Sequence, residues 1–320
     1  MVVRLISTLA ATAVSLVAAA GLIARVVPVT NHPTLFVAAL APYLTVAAVV
    51  AVPLFLLARR RVMAGAAAVL TVAAVAVQLP LFVPAAGPPP GGVPVRVLTA
   101  NVEEGTADPR ALADLARTRA DILVLQELTP ELTEALTRLG IGADFPHRVT
   151  DARPEAAGAG IWSRYPITRS ATVPGYRMTQ LRAVVDVPGA RAETVVLVTH
   201  IAGPWPQPID GWREEMAAMA ATMSGLAGSA GQSAVIVAGD FSSTHDMQPF
   251  RRLLRGGFAD SADQSGSGPI RAWPADRRVP PLIGIDHILT YQATATGAHT
   301  VRVPGSDHLG LTATVHLPGG

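Results

Sequence analysis

The chain is 320 residues long, half of them apolar and only 15% charged, with no cysteine and a mean hydropathy of +0.39; an ordinary soluble domain is roughly 25% charged. This composition excludes a disordered chain, and the missing cysteines exclude a disulfide framework, thiolate metal sites and a cysteine nucleophile. Residues 1–90 hold five arginines and no acid, whereas 91–320 hold 20 arginines and all 23 Asp and Glu, so the net +2 is a sum of +5 and −3. Such a split excludes a uniformly basic protein seeking acidic partners.

In chain order, the first feature is a set of three charge-free runs at 5–24, 34–58 and 62–83. Each is long enough to cross the ~30 Å hydrocarbon layer as a helix, the only spanning form open to such runs of Ala, Val and Leu. The spacing therefore predicts a three-helix transmembrane region over 1–84. Arg4 and the Arg59, Arg60, Arg61 cluster fall on one side of these spans and Arg25 on the other. That asymmetry predicts a cytoplasmic N-terminus and a C-terminal domain outside the cytoplasmic membrane. The run PAAGPPPGGVP at 84–94 reads as a short stiff linker, which would hold the domain close to the lipid surface.

From residue 95 onward strand and helix patterns alternate. VRVLTANV, ADILVLQEL, GAGIWS, LRAVVDV, ETVVLVTH, SAVIVAGD, GIDHILTY and LGLTATVHL read as strands. Helices are expected from Asp108-Pro109, near Pro130 to Leu139, near Trp212 to Leu226 and in PFRRLLRGG, while 144–157 reads as a loop. An α/β domain over 95–320 with layered sheets and outer helices suits this pattern. Met216, Met219 and Met223 are expected to be core contacts.

Several of these strands end in an acid, amide or histidine: VLTAN at Asn101, LVLQE at Glu127, VLVTH at His200 and VIVAGD at Asp240. GID adds Asp286, and GSDH adds Asp307 and His308. If neighbouring strands end at one rim, these side chains converge. Carboxylates and an amide offer oxygen ligands for Mg²⁺, and histidines beside carboxylates supply proton chemistry.

The ordered segments LTANV, LVLQEL, GAGIWSRYPI, LVTH, VAGDFSS, GIDHIL and GSDH resemble the motif series of the endonuclease/exonuclease/phosphatase superfamily, which includes DNase I, abasic-site endonucleases, inositol polyphosphate 5-phosphatases and neutral sphingomyelinases. With three spans before them, the whole chain is similar to membrane-anchored bacterial members of the VanJ teicoplanin-resistance type. The resemblance implies a four-layer α/β sandwich of two packed β-sheets flanked by helices. It implies Glu127 as principal metal ligand, with Asn101 and Asp307 near the metal or its waters. Asp240 would orient and deprotonate the attacking water, His308 held by Asp286 would bind phosphoryl oxygens or act as acid–base partner, and His200 would stabilise charge at phosphorus. Arg182 is placed where such proteins often contact phosphate. Ser242 stands where the family usually has Asn, which substitutes a shorter arm with one hydroxyl.

The implied protein is a membrane-anchored, extracytoplasmic hydrolase using Mg²⁺, with Mn²⁺ as the alternative ion, on a phosphorylated membrane lipid. Undecaprenyl pyrophosphate and a link to glycopeptide resistance follow from the VanJ likeness. An external nuclease, a sphingomyelinase-like phosphodiesterase and a non-catalytic binding relative are the alternatives. Nucleic acid is the weaker candidate for a domain at −3 without lysine, and no protein partner is evident. His287 is expected to be a satisfied core histidine, and His32, His147, His299 and His316 structural or solvated. His245 and Asp246 could face substrate or start a helix, and Trp205 and Trp212 could pack internally or sit at the headgroup level.

Overall fold

The structure is a computed structural model, and it describes residues 1–85 and 87–320; residue 86, in the expected linker, lies outside the described residues. Four helices open the chain: α1 (Val2–Ala24), α2 (His32–Ala39), α3 (Ala41–Leu57) and α4 (Arg61–Gln78), the last continued by a 3₁₀ turn, Leu79–Phe82. α1 and the stretch Arg61–Phe82 are each long and apolar enough to cross a membrane. Their outward residues, such as Leu9, Leu16, Val69 and Val72, are exposed, which suits a lipid surround rather than water.

The expected second span over 34–58 is not one helix. It is divided at Leu40, where α2 and α3 meet at a bend of 64°. Pro42, in the first turn of α3, has no N–H to bond the Ala38 carbonyl, which favours a kink or break at this point. α2 also has its own start signal. Asn31 accepts from the Thr34 N–H at 2.9 Å, and Thr34 Oγ1 accepts from the Asn31 N–H at 3.2 Å, a reciprocal cap that satisfies two otherwise orphaned donors. α3 packs on α1 through small residues: Ala11, Ala18 and Gly21 on one side, Ala41, Thr45 and Ala48 on the other, all buried. A Cβ on Gly21 would come within 2.9 Å of the Leu44 Cβ, so this close approach needs glycine.

The rest of the chain forms two six-stranded mixed sheets. The first contains β1 (Val93–Asn101), β2 (Ile122–Gln126), β3 (His147–Asp151), β4 (Ala159–Ser163), β11 (Thr294–Arg302) and β12 (Leu309–Leu317), in the order β11-β12-β1-β2-β4-β3. The second contains β5 (Ile167–Val173), β6 (Gln180–Val185), β7 (Thr194–His200), β8 (Val235–Asp240), β9 (Ala259–Asp260) and β10 (Asp286–Tyr291), in the order β5-β6-β7-β8-β10-β9. The β1–β2 and β7–β8 pairs are parallel and the others antiparallel.

The inner faces alternate as strands must. Val97, Ile122, Val124 and Ile161 of the first sheet pack on Ala183, Val196, Val198, Ile236 and Ile288 of the second. Outside the first sheet lie α5 (Pro109–Arg119), α6 (Pro130–Arg138) and α7 (Ile141–Asp144), covering Leu98, Leu123 and Trp162. Outside the second lie α8 (Ile209–Ser229) and α9 (Gln248–Leu253), covering Leu197, Val237 and Leu289, with the short α10 (Ser261–Ser265) near one edge. Met216, Met219 and Met223 are buried in this layer, as their spacing predicts.

The same outer layer includes Val29, Leu35 and Ala38 of the N-terminal region, so that region and the sandwich share a packed surface. Arg25, at the end of α1, is buried and forms an ion pair with buried Asp246; its carbonyl accepts from Arg251 Nη1 at 2.9 Å. His32 Nε2 lies 3.1 Å from both the Pro204 and the Gln207 carbonyl oxygens, and Tyr43 Oη donates to the Leu282 carbonyl at 2.5 Å.

Beneath the second sheet, His287 Nδ1 meets Asp260 Oδ2 at 2.6 Å and Nε2 meets the Ser243 carbonyl at 3.0 Å, all buried. This is the satisfied core histidine expected. Burial opposes the charge on both groups, but each partner's charge outweighs it, holding His287 above and Asp260 below their ordinary values. The His287 contribution to stability is complete below about pH 6.5 and is lost as pH rises through its elevated folded value. The Asp260 contribution is complete above about pH 4 and is lost as pH falls through its depressed one. Asp260→Asn is therefore expected to destabilise the fold by about 3 kcal/mol in denaturation at pH 5–6, with a smaller difference as pH rises further.

Candidate active site

The two sheets end together at one rim, and their central strands deliver the polar residues there. From the first sheet come Asn101, the last residue of β1, Glu127, just past β2, and Asp307 and His308, just before β12. From the second come His200 and Asp240, the last residues of β7 and β8 and paired in register, and Asp286, the first of β10 and opposite Asp240. Seven of the expected residues are thus brought to one place by strand ends. Gly239 permits it: with φ of +146°, a Cβ there would sit 1.9 Å from the Thr199 carbonyl oxygen.

Asn101 is the hub. Its Nδ2 donates to Glu127 Oε1 at 2.9 Å and to Asp240 Oδ2 at 3.3 Å, bridging the sheets, while Oδ1 accepts from the Glu103 N–H at 3.0 Å. Glu127 Oε2 accepts from the Glu104 N–H at 2.8 Å. The backbones of Glu103, Glu104 and Glu127 all lie at positive φ, 47°, 50° and 58°; these left-handed conformations are costly for such residues, and the carboxylate–amide contacts hold them. Asp240 Oδ1 accepts from the Ser242 N–H at 2.7 Å. His308 Nδ1 is 2.9 Å from Asp286 Oδ2, and the His308 N–H donates to Ser306 Oγ at 3.0 Å.

The Nε2 atoms of His200 and His308 face Asp240 Oδ2 at 4.0 and 3.8 Å, and His200 Nε2 is 3.6 Å from Glu127 Oε1. These separations exceed hydrogen bonds, so neither Nε2 is committed to a carboxylate. Burial works against charge on His308, yet the Asp286 carboxylate, with Asp240 and Asp307 beyond it, raises the imidazole to about 10. Burial pushes His200 down and the Glu127 and Asp240 carboxyls up, with His308 and the N–H donors opposing the shift at the acids.

The remaining expectations resolve individually. The Ser242 hydroxyl donates to the Ile201 carbonyl at 2.9 Å, so this residue offers the site its backbone N–H rather than its side chain. Arg182 does not join the cluster. Its neighbours Leu181 and Ala183 point between the sheets, which turns Arg182 to the opposite face, beside Arg169, Ser229 and Ser233; alternation along β6 overrides the expectation. His245 pairs with Asp263 at 2.9 Å and Asp246 with Arg25, so both serve the scaffold. Trp212 is buried, donating to the Ser242 carbonyl at 3.1 Å, whereas Trp205 is 56% exposed and meets the Phe36 ring edge-on at 6.3 Å.

Residues that strand-end reasoning did not reach also belong here. Trp273 Nε1 donates to Asp307 Oδ2 at 2.9 Å, and Gln180 Nε2 donates to the His200 carbonyl at 2.7 Å. The cluster lines part of a cleft of about 430 Å³ whose walls include Leu35, Phe36 and Ala39 of α2. Nothing in a strand-end pattern points to the N-terminal region.

Among the described residues no three His, Asp or Glu side chains are grouped to hold a metal ion unaided. The donor set still fits a hard divalent cation. None of Glu127, Asp240, Asp286 and Asp307 is paired with an arginine among the described residues, and Mg²⁺ ordinarily takes one or two carboxylates and fills its other positions with water and phosphate oxygen. Glu127 and Asp307 could hold such an ion, with Asn101 orienting the Glu127 carboxylate through Nδ2.

Residues 98–308 match the family model described as Endonuclease/Exonuclease/phosphatase family, and the chain belongs to that family. Members are phosphoesterases and nucleases, generally dependent on a divalent metal. No curated protein matches the chain. Among solved structures, Danio rerio TDP2 complexed with single-strand DNA product is similar at 18% identity and a TM-score of 0.58, covering 70% of this chain and 99% of that one. The 3′ phosphatase NExo from Neisseria, bound to a product DNA hairpin, is 21% identical with a TM-score of 0.56, covering 68% and 98%. A family protein from Bacteroides thetaiotaomicron is 14% identical with a TM-score of 0.55, covering 71% and 98%. At these identities the likeness speaks for the fold.

Proposed function

We propose that this chain is a membrane-anchored phosphohydrolase whose domain lies outside the cytoplasmic membrane and cleaves a phosphoric ester or anhydride bond of a membrane lipid. Lipid pyrophosphates such as undecaprenyl pyrophosphate are the favoured substrates, with the glycopeptide-resistance role of VanJ-type proteins as the biological setting. The carrying observation is that the acid–histidine cluster opens beside the N-terminal region, which is fastened to the 204–207 loop of the cleft through His32 and to the sandwich through Arg25. A substrate confined to the bilayer is then at high effective concentration at the site. The Arg25–Asp246 pair also supports the orientation. An arginine used as a tether is a weak counter-signal to Arg4 and Arg59 to Arg61.

The chemistry assigns each residue a role. Glu127 and Asp307, beside Asn101, would hold a divalent cation, Mg²⁺ first and Mn²⁺ second, which would supply charge neutralisation on the phosphoryl oxygens. Asp240, fixed by the Ser242 N–H and by Asn101, takes the proton from the water that attacks phosphorus. His308, kept protonated by Asp286, donates Nε2–H to a phosphoryl oxygen, and His200 donates from the opposite side. The bond from phosphorus to the lipid-side oxygen breaks as the bond to water forms, and that oxygen leaves with the charge.

A nuclease is the second reading, favoured by the product DNA bound in two similar structures. Against it stand a domain at −3 and the absence of lysine, because duplex binding needs several cations on one face. The test offers the full chain polyprenyl pyrophosphate in detergent micelles and supercoiled plasmid at matched salt with Mg²⁺. Phosphate release without nicking is expected, and nicking without release would reverse the assignment.

A further inference from the structure

The cleft has two chemically different parts. One is the Glu127, His200, Asp240 and His308 cluster. The rest of the lining is mainly apolar: Leu35 and Phe36 of α2, Trp205 of the 203–207 loop, and Met178, Met247, Ile283 and Ile285. Phe36 and Trp205 are 47% and 56% exposed and touch edge to face. A water-soluble phosphate ester has no use for this wall, and exposed aromatics of this size are costly at a purely aqueous surface.

The helix that carries Phe36 is set apart from the spans by the 64° bend at Leu40. His32 latches its first turn to the Pro204 and Gln207 carbonyls on either side of Trp205. One short helix of the membrane region and one loop of the sandwich are thereby locked as two jaws at the mouth of the cleft.

We propose that Phe36 and Trp205 form a hydrocarbon clasp that grips the lipid chain beyond its first five-carbon unit, so that α2 is a substrate-binding element and sets specificity for long apolar tails. This inference rests on the lipid-phosphohydrolase reading and adds a tail subsite to it. The occupant follows from continuity. The cleft is lined by groups that handle phosphate and by apolar side chains of a helix that leads into apolar α3, with which it makes a candidate broken span, so a molecule filling it has a phosphate head and a hydrocarbon chain. The methionines Met178 and Met247 suit such a chain, because their flexible thioethers adapt to varied shapes. Selection operates on the tail units just beyond the first, while the remainder stays in the bilayer.

The test uses the full chain in detergent micelles with Mg²⁺ and two pyrophosphates that share one leaving chemistry: a long-chain polyprenyl pyrophosphate and its five-carbon, water-soluble analogue. Wild type is expected to favour the long chain in kcat/KM. A Phe36→Ser, Trp205→Ser double variant should lower long-chain kcat/KM at least tenfold, mainly through KM, and leave the five-carbon value unchanged. Both residues are largely exposed, so the double variant keeps the core intact; a Phe36→Leu, Trp205→Leu variant should restore most of the long-chain activity. Equal losses on both substrates, or none on either, would overturn the clasp while leaving the lipid reading standing. Failure of wild type to cleave either pyrophosphate would overturn both.

Discussion

Replacing Asp240 by Asn is expected to lower kcat for phosphate release by about a thousandfold, the order that a positioned general base contributes. The substitution is nearly isosteric, and the Ser242 N–H can still donate to the remaining amide oxygen, so the loop and the β8–β10 pairing should persist. What disappears is the carboxylate oxygen that Asn101 holds at 3.3 Å and that both histidines face without bonding. KM should change little, since Asp240 would act on the attacking water rather than on the tail or the leaving group. A loss confined to KM would show that Asp240 holds substrate and that another group accepts the proton.

His308→Gln is expected to cost about a hundredfold in kcat, the low end for removing one oriented donor from a buried site. His308 is 5% exposed, anchored through Nδ1 by Asp286 and through its N–H by Ser306 Oγ. Its Nε2–H can be aimed at a phosphoryl oxygen only because Asp286 fixes the ring. Gln leaves Asp286 buried without its cationic partner, so Tm should fall as well. Asp286→Asn is informative beside it: the ring stays in place, and charge and orientation are weakened together. Steady-state kinetics should therefore place Asp286→Asn between wild type and His308→Gln. Equal activity of all three proteins would remove this pair from the reaction.

Much of the site was legible because strand ends are legible. Asn101, His200 and Asp240 each close an apolar run, and a run of four to six buried residues followed by a polar one is what a central strand leaves in sequence. The edges were not legible. β3 carries His147, Arg148 and Asp151 in five residues, and β11 includes Gly297 and His299; edge strands bury one face at most and lose the apolar signature. Arg182 misled because its motif position says nothing of which face it takes, and alternation between Leu181 and Ala183 decides that. Ser242 was recognised as a departure, but the capture of its hydroxyl by the Ile201 carbonyl depends on two strand ends meeting.

The N-terminal region gives the sharpest contrast. Charge-free length marks apolar helices but hides a break within an apolar run. The break at Leu40 leaves one trace, Pro42 in the first turn of α3, while the Asn31 to Thr34 cap marks where α2 starts. No local signal places Phe36 beside Trp205, because that contact depends on how the N-terminal region docks onto the sandwich.

The most direct measurement is phosphate release from a polyprenyl pyrophosphate by the full chain in lipid nanodiscs, with Mg²⁺, after chelation, and for Asp240→Asn. A membrane phosphohydrolase of this design releases phosphate with Mg²⁺, stops on chelation, and falls to near background in the variant. Release no greater from wild type than from Asp240→Asn would contradict it.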